Sequence, residues 1–268
     1  MFNRRKKIIM EPVESAEREF FKPKLIFTED MILEKEDEYL FRYHANQLPA
    51  LRQNQLSVEA LQLDASTYPV SVISLFRNTL EHAFQIDGLP LLMLDEQKRL
   101  IGRKVLSTED IPEFIAMSSI PCWLDFHEEE LFLSEDETFP ENITLLFSLE
   151  EAHHLELGEQ LSKDERKYVK QVFYSTPILT NEELNVLSVS SRREDGKLIV
   201  LLLIRNGYEQ SIQLGTLPIE LYGGEHVFES HQIHIQQEIE GHTAIPVRIE
   251  LDVTHLPQGG EIGLRVVR

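Results

Sequence analysis

The chain has a single cysteine, Cys122, which excludes an internal disulfide and any cysteine-rich zinc site. It has one tryptophan and few aromatics, 8% of 268 residues. It lacks a long apolar run, so no stretch approaches the roughly 20 residues of a membrane-spanning helix. After the basic cluster Arg4, Arg5, Lys6 and Lys7 only Ile8, Ile9 and Met10 are apolar, too few for a secretory leader. A cytoplasmic location is therefore expected, with the cluster as a disordered start or a contact to the inner face of an anionic membrane. Positive charge is scarce: 26 basic against 46 acidic residues leave a net charge of −20. Such a field repels phosphate and argues against nucleic acid as a partner. No GxSxG, HExxH, Walker loop or GxGxxG is present, so no enzyme and no cofactor are expected. A glycosidase carboxylate pair has no local signature. The histidines give no metal expectation either, because His231 and His234 fall on opposite faces of a strand.

What the sequence does have is an internal repeat. Arg77-Asn78 and Arg205-Asn206 are separated by 128 positions, as are Leu89-Pro90 and Leu217-Pro218. The same offset pairs Pro49 with Pro177, Leu51 with Leu179, Val58 with Val186 and Leu75 with Leu203. Roughly 47 residues align without a gap, with about a dozen identities. Ile120-Pro121 then matches Ile245-Pro246 at an offset of 125, with the following strands in phase.

Period-2 alternation dominates each copy. Leu56–Leu63, Val70–Phe76, Leu91–Leu94, Leu100–Val105 and Cys122–Phe126 read as strands, with a further strand starting at Phe84 and Ile86. Turn signals separate them, among them Asp95-Glu96-Gln97 and Glu194-Asp195-Gly196. The pattern predicts a mainly β protein: two tandem immunoglobulin-like antiparallel sandwiches. Short helices are expected before each, near Thr28–Tyr39 and Ser162–Val172. The expected boundaries are 1–19 for a basic, disordered start, 20–127 and 162–268 for the repeats, and 128–161 for an acidic linker or arm. Residues 128–167 carry −10, half the net charge. Within them Leu131, Phe132 and Leu133 suggest a partner-binding arm, whose deletion would abolish binding without unfolding either repeat.

Two readings of the repeated Arg-Asn pair stand. Arg77 and Arg205 bind a carboxylate on a partner or ligand, or each Asn ends a strand in a turn while its Arg satisfies a nearby group. Retention in both copies favours a fold requirement. Cys122 alternates with apolar residues and reads as buried rather than nucleophilic.

The segments NQLPALRQNQLSVEALQL, SLFRNTLEHAFQIDGLPLLMLDEQKRLIGRKVL and SSIPCWLDF resemble the duplicated domain of accessory Sec system S-layer assembly proteins of Gram-positive bacteria. The matching positions include Leu48-Pro49, Asn54, Arg77-Asn78, Leu89-Pro90, Arg103-Lys104 and Pro121-Cys122-Trp123, and the resemblance runs from about Phe20 to Arg268. The second copy departs from it: Trp123 corresponds to Arg248, and Arg103-Lys104 has no clear equivalent. The resemblance implies a chaperone-like role in protein transport. A secretion substrate, an S-layer preprotein, would be held or docked for an accessory SecA-type ATPase. Sheet edges would offer strand addition to an extended chain, and the acidic surface would favour basic segments. The alternatives are a ligand- or carbohydrate-binding envelope module and an accessory subunit of a cytosolic enzyme.

Overall fold

The computed structural model describes residues 19–28, 31–85, 87–111, 113–134, 136–148, 153–179, 182–224, 226–256 and 262–267. The basic cluster Arg4–Lys7 and the strand position Ile86 lie outside them. The first repeat runs β1 (Phe20–Phe21), β2 (Lys24–Leu25), α1 (Lys35–Gln47), β3 (Leu51–Arg52), β4 (Leu56–Asp64), β5 (Val70–Asn78), β6 (Leu89–Leu94), β7 (Leu100–Leu106), β8 (Ser118–Phe126) and β9 (Thr144–Phe147), with one 3-10 turn at Glu128–Glu130. The second runs β10 (His154–Leu155), α2 (Lys163–Ser175), β11 (Leu184–Glu194), β12 (Lys197–Asn206), β13 (Ile212–Gly223), β14 (His226–Ile239), β15 (Thr243–Asp252) and β16 (Gly263–Val266).

Each repeat faces a four-stranded sheet with a three-stranded one. The orders are β2-β8-β5-β4 and β7-β6-β9 in the first, β10-β15-β12-β11 and β14-β13-β16 in the second. The correspondence extends to register. Leu56 pairs with Asn78 as Leu184 pairs with Asn206, and the bulge between Ala60 and Gln62 recurs between Ser188 and Ser190, 128 positions on. A two-residue strand before the helix of each copy, β2 or β10, joins its four-stranded sheet in parallel; the longer pairs are antiparallel. A two-residue loop at Asp195-Gly196, both at positive φ, closes the β11–β12 hairpin.

The LIVLLLI run of β12 is explained by burial on both faces. Val200, Leu202 and Ile204 enter the sandwich core, while Leu201 and Leu203 lie under α2 with Val169 and Phe173. Each such side chain contributes about 1.5–3 kcal/mol on burial. α1 occupies the same place on the first repeat: Phe41 meets Trp123 of β8 edge-on, ring centroids 5.6 Å apart.

The helix starts differ in clarity. Ser162 and Glu165 form a reciprocal capping box at α2, so its start was legible. Glu34 makes no side-chain cap at α1. That helix begins at Lys35, later than the expected Thr28, and runs on to Gln47.

The boundaries at 127 and 162 are redrawn. Leu131 bridges to Gly102 of β7, β9 pairs with β6, and Leu131, Leu133 and Leu145 lie in the first core. β10 pairs with β15, and Leu155, Leu157 and Leu161 pack beneath α2. Most of the acidic stretch is therefore sandwich, not linker. Leu131, Phe132, Leu133 and Leu145 are buried while Glu129, Asp136, Glu141 and Glu159 are exposed, a distinction that counting charges misses.

Candidate functional site

The Arg-Asn pair does the same structural work twice. Both arginines and both asparagines are buried. Arg77 Nη2 donates to the Pro49 carbonyl, and Arg205 Nη2 to that of Pro177 at 2.5 Å. Asn78 Oδ1 accepts from Leu80 N–H at 2.7 Å, and Asn206 Oδ1 from Tyr208 N–H at 3.0 Å. The Asn78 amide donates to Ile115 O, and that of Asn206 reaches Gln210, Ile239 and Glu240 carbonyls. Each Arg thus pins the segment between helix and first long strand, and each Asn closes the turn after β5 or β12. The copies differ in counter-charge. Glu59 stands 3.6 Å from Arg77, whereas the position 128 residues on is Leu187.

The Leu-Pro pairs lie in β6 and β13. Leu89 pairs with Leu106, and Leu217 with Ile233. The carbonyls of Pro90 and Pro218 accept from Ser148 N–H at 2.9 Å and Val267 N–H at 3.0 Å, anchoring the chain after the last strand of each copy.

Leu131, Phe132 and Leu133 are only 2%, 2% and 6% exposed, so they form no free arm. Leu131 and Leu133 fill the first core, and Phe132 stacks on Tyr174 of α2 at 6.1 Å. Around them lies the seam between the repeats. α2 directs Lys167 Nζ to Leu133 O at 2.8 Å, Lys170 Nζ to Glu129 O at 2.8 Å and Gln171 Nε2 to Leu100 O at 2.7 Å. Lys163 pairs with Glu128, and the Arg103 guanidinium sits 4.3 Å over the Tyr174 ring. The acidic segment is thus complementary to the lysine face of the second repeat's helix.

That seam makes the two sheet edges unlike. In the first repeat, β7 is an edge strand whose carbonyls at Leu100 and Ile101 are taken by Gln171 and by Phe132 N–H. In the second, β14 is a 14-residue edge with no strand on its outer side among the described residues. It contains no Lys, Arg or Pro, the residues that normally guard an edge.

Comparison with known families decides the identity of this arrangement. A family model described as the SLAP domain matches twice, over residues 25–149 and 153–256, close to the structural boundaries. The chain belongs to the SLAP domain family. The family is named for the accessory Sec system, which suggests a secretion-associated role. No curated protein matches the chain. Among solved structures the chain is similar to a crystal structure of red sea bream transglutaminase. Identity is 14% and the TM-score 0.21, with 82% of this chain and 29% of that chain covered. A score that low carries no argument about fold or activity.

The first SLAP domain carries exposed aromatic side chains at three positions where the second has Lys167, Gln171 and Arg248. Tyr39 and Tyr43, four apart on α1, are 73% and 53% exposed, and Trp123 is 45% exposed. The i, i+4 tyrosine spacing was readable in the sequence; the half-exposed Trp123 was masked by its apolar neighbours. In the second SLAP domain Lys167 and Gln171 occupy the tyrosine positions and carry the seam.

Cys122 is buried, its thiol directed to Asp110 O at 3.6 Å. Burial first, and the Asp110 carboxylate second, push it up to about 12, so it is no thiolate at neutral pH. His231 bonds Glu229 at 2.9 Å and His234 bonds Thr216 at 3.1 Å, so the two rings serve different partners. Among the described residues no helix is long and apolar enough to cross a membrane.

Proposed function

We propose that this protein is a non-catalytic accessory factor of an accessory Sec system. It holds an extended segment of a secretion substrate, an S-layer preprotein, for an accessory SecA-type ATPase on the cytoplasmic side of the membrane. The observation that carries the reading is that the β14 edge is open among the described residues, whereas the corresponding β7 edge is capped. An extended chain adds to such an edge through main-chain hydrogen bonds, which need no particular sequence. The net charge of −20 raises encounter rates with basic segments of a preprotein.

The test places a photo-crosslinking side chain at the exposed Gln232 or Gln236 of β14, and at Val105 of β7 as control. Each protein is mixed with unfolded S-layer preprotein, with and without the ATPase. Crosslinks from β14 and not from β7 are expected. Equal labelling from both positions, or none, would refute the edge as the binding site.

The exposed Tyr39, Tyr43 and Trp123 favour a second reading, an envelope module that stacks sugar rings. As Trp123 is the only tryptophan, its emission on titration with cell-wall polysaccharide reports directly on that reading. A saturable change would favour it over the first.

A further inference from the structure

We infer that the seam between the two SLAP domains holds a binding site for a small carboxylate-type anion. A cavity of ≈ 40 Å³ lies there, lined by Arg103 and Ser148 of the first domain and His153, Tyr174, Thr176 and Arg205 of the second. One water needs roughly 10–15 Å³ by the same kind of measure, so the space takes a carboxylate but not a nucleotide.

The repeat supplies the argument. Arg77 has the Glu59 carboxylate beside it at 3.6 Å. Arg205 holds the same place, is 2% exposed, and has Leu187 where that carboxylate would stand. Arg205 Nη2 is used by Pro177 O, but its Nε is buried with no hydrogen-bond partner. Among the described residues His153 Nδ1 is likewise buried without a hydrogen-bond partner. The equivalent position before β2 is Pro23, which has no polar side chain. The Glu183 carboxylate acts on Arg205 from the exposed surface, and no ion pair joins the two. Arg103, over the Tyr174 ring, brings a second guanidinium from the other domain.

Among the described residues no carboxylate forms an ion pair with Arg205, and a buried cation without a paired counter-ion is strongly unfavourable unless something neutralises it. One carboxylate would accept from Arg205 Nε, face the Arg103 guanidinium and accept from a protonated His153. Burial first, then His242, whose ring centroid is 5.0 Å from that of His153, and Arg205 oppose that proton; an anion in the cavity offsets the two charges. Binding therefore takes up a proton and strengthens as pH falls from about 7.5 toward 5.5.

The experiment is calorimetric titration of the full chain with sodium acetate at constant ionic strength, at pH 7.5 and pH 5.5, with chloride as control. Saturable acetate binding, at least tenfold tighter at the lower pH, is expected. His153→Ala is expected to remove the pH dependence, and Leu187→Glu to abolish binding by restoring the carboxylate found at Glu59, with the fold intact by circular dichroism. Titration with a short peptide bearing a free or an amidated C-terminus separates a peptide carboxylate from a free acid as the source. Acetate heat no different from chloride, or unchanged binding in Leu187→Glu, would overturn the inference.

Discussion

Replacing Leu131 by alanine tests where the acidic segment belongs. Leu131 lies in the first core, and a Cβ on Gly102 would meet its Cδ2 at 3.1 Å, so segment and strand touch closely. The neighbouring Phe132 N–H donates to Ile101 O at 2.8 Å, which keeps the backbone from collapsing into the space left. A buried Leu→Ala change of this kind costs about 3 kcal/mol, within a range of roughly 2–5. With a urea slope of about 2 kcal/mol/M, the unfolding midpoint falls by about 1.5 M. Trp123 is the only tryptophan and sits in the first domain, so its emission follows that domain alone. A fall of less than about 0.3 M would mean that the segment is a peripheral arm after all, and the redrawn boundary would be wrong.

Other changes follow from the same packing. Asn206→Ala removes the amide that bonds the buried Ile239 carbonyl, the part-buried Gln210 and Glu240 carbonyls and the Tyr208 N–H. It should cost about 3 kcal/mol in chemical denaturation followed by circular dichroism. Ser162→Ala removes one half of the α2 capping box. It should cost about 1 kcal/mol, and amide exchange in the first turn of α2 should quicken. Asp95 is buried, which pushes its carboxyl up, but hydrogen bonds from Arg99 and Gln97 outweigh burial and hold it below 3.8. Its stabilising contribution is therefore complete above about pH 3.8 and is lost as pH falls through the lower folded value. Acid unfolding of Asp95→Asn should show a correspondingly weaker pH dependence in that range.

The repeat was the most legible feature, because strand register and turn residues recur at fixed offsets and sheet pairing preserves them. The bulge at Ala60/Gln62 and Ser188/Ser190 shows how far that preservation goes. The membership of residues 128–147 was not legible. A strand such as TLLF has no local mark that says which sheet it joins, and its acidic flanks imitate a linker. The seam was hidden for a related reason. Lys167, Lys170 and Gln171 look like a solvated helix face until their carbonyl partners on the other domain are seen. The loss of Arg205's counter-ion needed both kinds of information: the offset that aligns Leu187 with Glu59, and the cavity beside it.

The central claim is that the protein serves an accessory Sec system by holding a substrate at the β14 edge. The most direct measurement is affinity capture of the tagged chain from its native cells after crosslinking, comparing the wild type with Gln232→Pro/Gln236→Pro, which blocks the edge. The account predicts recovery of S-layer precursors and the accessory SecA-type ATPase with the wild type, and loss of the precursors with the double variant. Recovery of neither, under crosslinking that captures other secretion complexes, would contradict it.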